Sequence, residues 1–129
     1  MLQPGLSHET TLVVSEADSI HFLGGSVTPA LSTPSMILNL EITARNAVLP
    51  LLGPGEDTVG VLVNVSHLAA TPVGMKVTFR ATLTGVDNRR LTFAVEAHDE
   101  EEKIAEGTHQ RFRIDVARYA ARLNAKAGR

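Results

Sequence analysis

The sequence predicts an α+β fold in which an antiparallel sheet of about five strands wraps one long central helix. Three observations carry that prediction. One stretch in the first half has helical periodicity, the chain from Thr58 onward switches to a period of two, and turn residues divide that second half into strand-length runs.

Taken in order, Thr10 to Val14 is a short β-branched run and reads as a strand. Glu16 to Ser32 is mixed, with Gly24-Gly25 and Pro29, and predicts a short helical turn followed by a loop. Thr33 is placed to cap the helix, with Pro34 at its first position, where a missing N–H costs nothing. Ile37, Leu40, Ala44, Ala47 and Val48 then recur at helical spacing, and Leu49-Pro50 with Gly53-Pro54-Gly55 ends the segment, so the helix is expected over residues 34–48. Val59, Val61, Val63 and Val65 alternate with small or polar residues and lead to His67. Beyond the Thr71–Gly74 turn, Met75, Val77, Phe79, Ala81 and Leu83 alternate with polar residues as a half-buried strand. Asp87-Asn88 predicts a hairpin into the Leu91, Phe93, Val95, Ala97 face. Asp99 to Glu102 reads as a solvated turn rather than a metal site, because successive strand residues point apart. A last strand at Ile104–Ile114 leads to a short amphipathic helix capped by Asp115. A curled sheet of this kind keeps free edges, and pairing with a second copy removes one, so a homodimer is expected.

The whole chain narrows the function. Its 129 residues suit one domain spanning 1–129, and 43% apolar residues suffice for a core. Cysteine is absent, which excludes a thiol nucleophile, a disulfide framework and a Cys-based zinc site, and is consistent with a cytoplasmic location. No apolar run is long enough for a membrane helix and no signal pattern opens the chain. A net charge of -2 and few aromatics argue against nucleic-acid binding. No Walker loop, dinucleotide fingerprint, Gly-x-Ser-x-Gly elbow or His-Glu-x-x-His motif occurs, and no metal or cofactor is expected.

Two polar residues interrupt the apolar pattern. Glu41 falls beside the stripe of Ile37, Leu40, Ala44 and Val48, where an ionised carboxylate is costly unless it lies at a solvated edge or serves a function. His67 keeps the register of the preceding valines, as either a core histidine bonded to a main-chain carbonyl or a member of a proton-transfer pair. Thr33 is a sufficient helix cap, yet a helix N-terminus also stabilises a developing oxyanion. Thr33 and Glu41 are separated by roughly 12 Å along one helix, so a single small carbonyl reaches both only if a second subunit or a folded-back loop brings them together.

Several segments carry a resemblance. Val65-Ser66-His67-Leu68-Ala69-Ala70-Thr71-Pro72-Val73-Gly74 and Gly107-Thr108-His109-Gln110-Arg111, with Pro54-Gly55-Glu56 and Leu123-Asn124-Ala125-Lys126, resemble the hotdog-fold thioesterases of the fluoroacetyl-CoA thioesterase type over about residues 32–126. The resemblance implies hydrolysis of an acyl-CoA thioester. It places the catalytic threonine, glutamate and histidine at Thr33, Glu41 and His67, with Gly60 and Arg111 as substrate-binding positions near the site. It also implies that Glu41 acts as nucleophile or general base. The fluoroacetyl-specific members carry a phenylalanine-bearing lid before the threonine. Here Leu23 to Ser32 contains no aromatic residue and Val27 stands at that place, which leaves the acyl group open. Arg45, Lys76, Arg80, Arg89 and Arg90 are candidates for coenzyme A phosphates. Two alternatives stand beside this one. A hotdog enoyl-CoA hydratase usually needs an Asp–His motif that is not found, and a non-catalytic acyl-binding hotdog protein needs no inward Glu–His pair.

Overall fold

The computed structural model describes all residues, Met1–Arg129. The strands β1 (Ser7–Val13), β2 (Ser19–Ile20), β3 (Ala30–Leu31), β4 (Glu56–His67), β5 (Lys76–Asp87), β6 (Arg90–His98) and β7 (Lys103–Asp115) accompany two helices, α1 (Thr33–Val48) and α2 (Val116–Lys126). Five strands form one antiparallel sheet in the order β1-β5-β6-β7-β4, and β2 pairs with β3 separately. The expected layer of five strands against one long helix is therefore present.

The predicted periodicities explain the core. In β5 and β6 alternate residues are buried, so Val77, Phe79, Ala81 and Leu83 share one face with Leu91, Phe93, Val95 and Ala97. Against that face α1 lays Met36, Leu40, Ala44, Ala47 and Val48, all at helical spacing. Burying a Leu or Phe side chain stabilises by about 1.5–3 kcal/mol relative to exposure, so this layer sets the helix orientation. Two polar contacts fix its azimuth. Thr43 and Thr10 on β1 share a hydroxyl–hydroxyl bond of 2.6 Å, and Arg45 donates through Nε and Nη2 to the Asp57 carboxylate at 2.8 and 2.7 Å.

Two details depart from the sequence reading. The helix cap is Ser32, whose hydroxyl accepts from the Ser35 amide at 3.2 Å, so Thr33 and Pro34 occupy the first two helical positions. Both residues can cap, and proline is tolerated at either early position because the first-turn amides have no intrahelical partner. In β4 the register slips between Gly60 and Leu62. This bulge inverts the alternation, so Val59 does not share a face with Val63, Val65 and His67. Gly60 aligns with inward-facing Arg111, while Val63 aligns with buried His109.

The acidic run forms the expected turn. Asp99 accepts from the Glu101 and Glu102 amides at 2.8 and 2.9 Å, and its other oxygen accepts from the buried Thr71 hydroxyl at 2.9 Å. Thr71 in turn accepts through its carbonyl from Leu31 at 2.8 Å, and Pro72 bridges Ala30. Gly74 takes a φ of +95°, a conformation that favours glycine. The 65–74 segment thereby folds the end of β4 back against the start of α1.

Candidate active site

That fold-back brings two predicted residues together. The Thr33 hydroxyl, released from capping by Ser32, lies 2.8 Å from His67 Nδ1. A hydroxyl both donates and accepts, so the pair accommodates either histidine tautomer. His67 Nε2 is buried and has no hydrogen-bond partner. Burial pushes the His67 pKa below the ordinary 6.5, opposed in part by the Ala69 main chain, so a neutral ring is favoured. An orphaned imidazole nitrogen of this kind is costly as structure and suited to a reacting group.

The pair opens into a cleft of about 730 Å³ whose wall is mainly apolar, including Phe22, Leu23, Leu31 and Leu68. The 23–32 stretch holds no aromatic residue, as the sequence shows, but Phe22 just before it brings an aromatic side chain to the cleft. It lies one residue outside the 23–32 window, is 78% exposed, and lines the cleft where Val27 does not. The pairing of Ser19–Ile20 with Ala30–Leu31 is what distance along the sequence hides.

Glu41, Gly60 and Arg111 meet elsewhere. Glu41 is half-buried on α1, and its carboxylate lies directly on Gly60 of β4. A Cβ at Gly60 would stand 2.5 Å from Glu41 Oε1, 3.3 Å from His109 Cε1 and 3.4 Å from Arg111 Nη1. The glycine is thus a matter of close approach, not of backbone freedom. Arg111 is not an exposed strand charge, since only 6% of it is accessible. Its Nε donates to the Thr58 hydroxyl at 2.8 Å, its Nη2 to the Thr58 carbonyl at 2.9 Å, and its Nη1 to His109 Nε2 at 3.2 Å. Burial pushes the guanidinium pKa down, while the Glu41 charge opposes that shift. Glu41 forms no hydrogen bond or ion pair within the subunit; the arginine's close partners are Thr58 and His109.

The two groups do not join within one subunit. Thr33 and Glu41 are separated by roughly 12 Å along α1, and Gly60 and His67 by about 20 Å along β4 at ~3.3 Å per residue. The sequence expectation of an adjacent Glu41–His67 pair is not met inside a single subunit.

His109 was not singled out by the sequence reading. It is 1% exposed, stacks on Phe93 with ring centroids 6.2 Å apart, and bonds through Nδ1 to the Leu62 carbonyl at 2.8 Å. Its two-residue spacing from Arg111 within Gly107-Thr108-His109-Gln110-Arg111 was the available signal, because on a strand it places both side chains on one face. Of the cationic candidates, Arg45 is paired with Asp57 and Arg80 with Glu9, and none of the five lines the Thr33–His67 cleft.

Comparison with known proteins accords with this geometry. A family model described as "Fluoroacetyl-CoA-specific thioesterase" matches residues 14–117. A fluoroacetyl-CoA thioesterase of Streptantibioticus cattleyicolor is 39% identical over 95 residues, covering 74% of this chain and 68% of that protein. The solved structure of the fluoroacetyl-CoA thioesterase FlK superposes with a TM-score of 0.89 at 31% identity, over 98% of both chains. A thioesterase superfamily member from Thermus thermophilus also superposes with a TM-score of 0.89, at 26% identity over 98% of this chain and 93% of the other. With the sheet wrapped round α1 as the shared architecture, this chain belongs to the fluoroacetyl-CoA-specific thioesterase family and is a thioester hydrolase of the hotdog fold.

Proposed function

We propose that this chain, acting as one domain, hydrolyses an acyl-CoA thioester to the free acid and coenzyme A, with Thr33, Glu41 and His67 as catalytic residues and Gly60 and Arg111 shaping the substrate site. The observation that carries the proposal is the Thr33–His67 pair, which opens on an apolar cleft with a buried and unpartnered imidazole nitrogen. The cleft accepts the acyl group and the pantetheine thioester. In the general-base route, the Glu41 carboxylate takes a proton from water and the oxygen attacks the carbonyl carbon. The C–S bond then breaks, and the thiolate receives a proton relayed by His67. In the nucleophilic route, Glu41 itself attacks the carbonyl carbon, the C–S bond breaks with the thiolate protonated through His67, and water then opens the resulting acyl anhydride to free acid and carboxylate. The relatives' names make fluoroacetyl-CoA the first substrate to test.

The site is completed by a second copy. β4 is an edge strand whose exposed middle carries Val61, Leu62 and Val63 at 47%, 43% and 41% exposure. An edge with this composition favours strand pairing. With the bulged Val61 and Leu62 counted as one register position, antiparallel pairing of two β4 strands about an axis at Asn64 sets each His67 opposite the partner subunit's Gly60. Thr33 and His67 of one subunit then face the Glu41 group of the other.

Thiol release is measured over a panel of acyl-CoAs for the wild type, Glu41→Gln and His67→Ala. Loss of at least about a hundredfold in kcat is expected for both variants, as for removal of a general acid–base group. Full activity of Glu41→Gln would remove the carboxylate from the mechanism, and no turnover of any acyl thioester would sink the reading. Single turnover in ¹⁸O-water can identify the nucleophilic route, since label enters the Glu41 carboxylate only when water opens an anhydride at the Glu41 carbonyl carbon. For the shared site, mixed Thr33→Ala and Glu41→Gln subunits should recover part of the activity. No recovery despite demonstrated subunit exchange would refute a site built from both subunits.

A further inference from the structure

We propose that His109 is a positioning residue for this reaction: as a neutral hydrogen-bond acceptor it holds the Arg111 guanidinium beside Glu41 without letting the two close into an ion pair. The inference rests on the hydrolytic reading of Glu41 given above and adds to it a reason why the carboxylate stays reactive.

Arginine has five N–H donors and no acceptor, so an Arg111 Nη1 bond at 3.2 Å to His109 Nε2 requires a lone pair on that nitrogen. The ring proton therefore lies on Nδ1 and is donated to the Leu62 carbonyl at 2.8 Å. Leu62 stands at the β4 bulge, where the strand register breaks, and its carbonyl fixes the tautomer. Phe93 stacks on the ring and fixes its plane. Gly107, two residues earlier, lies against the Asn64–Val65 main chain where no Cβ fits, so β7 can bring His109 this close to the bulge.

With Nε and Nη2 held by Thr58 and Nη1 by His109, each nitrogen of a buried guanidinium has a neutral partner. Glu41 is the charged side chain whose oxygen shares the space above Gly60 with Arg111 Nη1 and the His109 ring. A fork-to-fork bond with Arg111 would hold that carboxylate in its ionised form and weaken it as base and nucleophile. His109 and Thr58 prevent that closure while keeping the positive charge near enough to steady the carboxylate. The other charges acting on this group are Arg45 and Asp57, which are already paired with each other. Protonation of His109 would remove the acceptor and set two cations against each other, and burial opposes it.

Two substitutions divide the ring into its halves. Asparagine puts its amide where Nδ1 lies, keeping a donor for Leu62 and losing the acceptor for Arg111. Glutamine reaches the Nε2 position and keeps that acceptor. With the preferred acyl-CoA, His109→Gln should retain kcat within about threefold. His109→Asn should lose about tenfold or more in kcat with KM little changed, and the acid limb of its kcat profile should move to lower pH as Glu41 is captured by Arg111. The double substitution His109→Asn/Arg111→Met should lose no more than Arg111→Met alone. Equal activity in the two single variants, or a loss in His109→Asn with an unmoved acid limb, would overturn the proposal and leave a packing role. A readout independent of turnover is the imidazole ¹⁵N spectrum of the wild type. It should show His109 as the neutral Nδ1–H tautomer above pH 6.5, and the opposite tautomer or a charged ring there would also overturn the proposal. A correct tautomer in a protein that hydrolyses no thioester would refute the hydrolytic reading and leave the network in place.

Discussion

Replacing Gly60 by alanine separates the cost to the reaction from the cost to the fold. The new methyl carbon would lie 2.5 Å from Glu41 Oε1, whereas an ordinary contact begins near 3.4 Å, so the carboxylate must retreat by about 0.9 Å. The His109 and Arg111 atoms, at 3.3 and 3.4 Å, need hardly move. Glu41 is the far end of a flexible side chain with no hydrogen bond to break, and Gly60 has an ordinary strand conformation. The stability cost is therefore on the order of 1 kcal/mol or less, a few degrees in Tm. Catalysis is less forgiving, because a misplacement of about 1 Å can cost on the order of a hundredfold in rate. Gly60→Ala should accordingly lose about a hundredfold in kcat in a thiol-release assay while melting within a few degrees of the wild type. Activity within threefold of the wild type would mean that Glu41 need not rest on Gly60 to act. A collapse of Tm would mean that the glycine serves packing, and that the geometric reasoning is wrong.

Thr33→Val keeps the shape and removes the hydroxyl; with Ser32 as the cap, Tm should hold while kcat falls about ten- to a hundredfold, and a loss of about 1 kcal/mol of stability with normal turnover would reassign Thr33 to capping. Phe22→Ala opens one wall of the cleft at an exposed position, so the ranking of acyl-CoAs by kcat/KM should shift toward bulkier acyl groups by about 1–3 kcal/mol with no change in Tm; an unchanged ranking would dissociate Phe22 from selectivity. Burial holds His67 and His109 below 6.5, so as the pH drops through that value the unfolded chain binds protons that the folded chain refuses. Stability is fully present above about pH 6.5 and should decline below it until the folded-state values are passed, with a slope of at most about 1.4 kcal/mol per pH unit from His109. Denaturant titrations between pH 7 and pH 5 read this slope, and in His109→Gln it should be smaller.

The helix, the strand order of burial in β5 and β6 and the turn at Asp99 were legible because each rests on local periodicity or local capping chemistry. Where the reading failed, a non-local cause was at work. Strand parity in β4 cannot be followed through a bulge whose partner strand lies some 50 residues later, so the alternation that groups Val59 with Val63 and Val65 breaks between Gly60 and Leu62. Ser32 and Thr33 are both competent caps, and only the position of His67 across the fold decides which hydroxyl is left free. Phe22 lies one residue before the aromatic-free 23–32 stretch, and the pairing of Ser19–Ile20 with Ala30–Leu31, which no local pattern announces, sets it beside the cleft. Glu41 was detectable as a charge beside an apolar stripe, and Gly60 only through what it touches.

The same contrast bears on why a charged cluster persists beneath this sheet. A buried guanidinium without an ion pair carries a desolvation cost of several kcal/mol, and closing on Glu41 would offset much of it. A fold under selection for stability alone would favour that closure. Here Thr58 and His109 supply neutral acceptors instead, and the carboxylate remains unpaired on a bare glycine backbone. The edge of β4 beside this group is likewise left unpaired and apolar, again at a cost that a second copy removes. Both meet at one stretch of β4, the first at Gly60, on which Glu41 and Arg111 converge, and the second at the three residues after it. That coincidence is what the proposed site shared between two subunits requires: in that proposal one event, the arrival of a partner that brings Thr33 and His67 to the carboxylate, would complete both the sheet and the site.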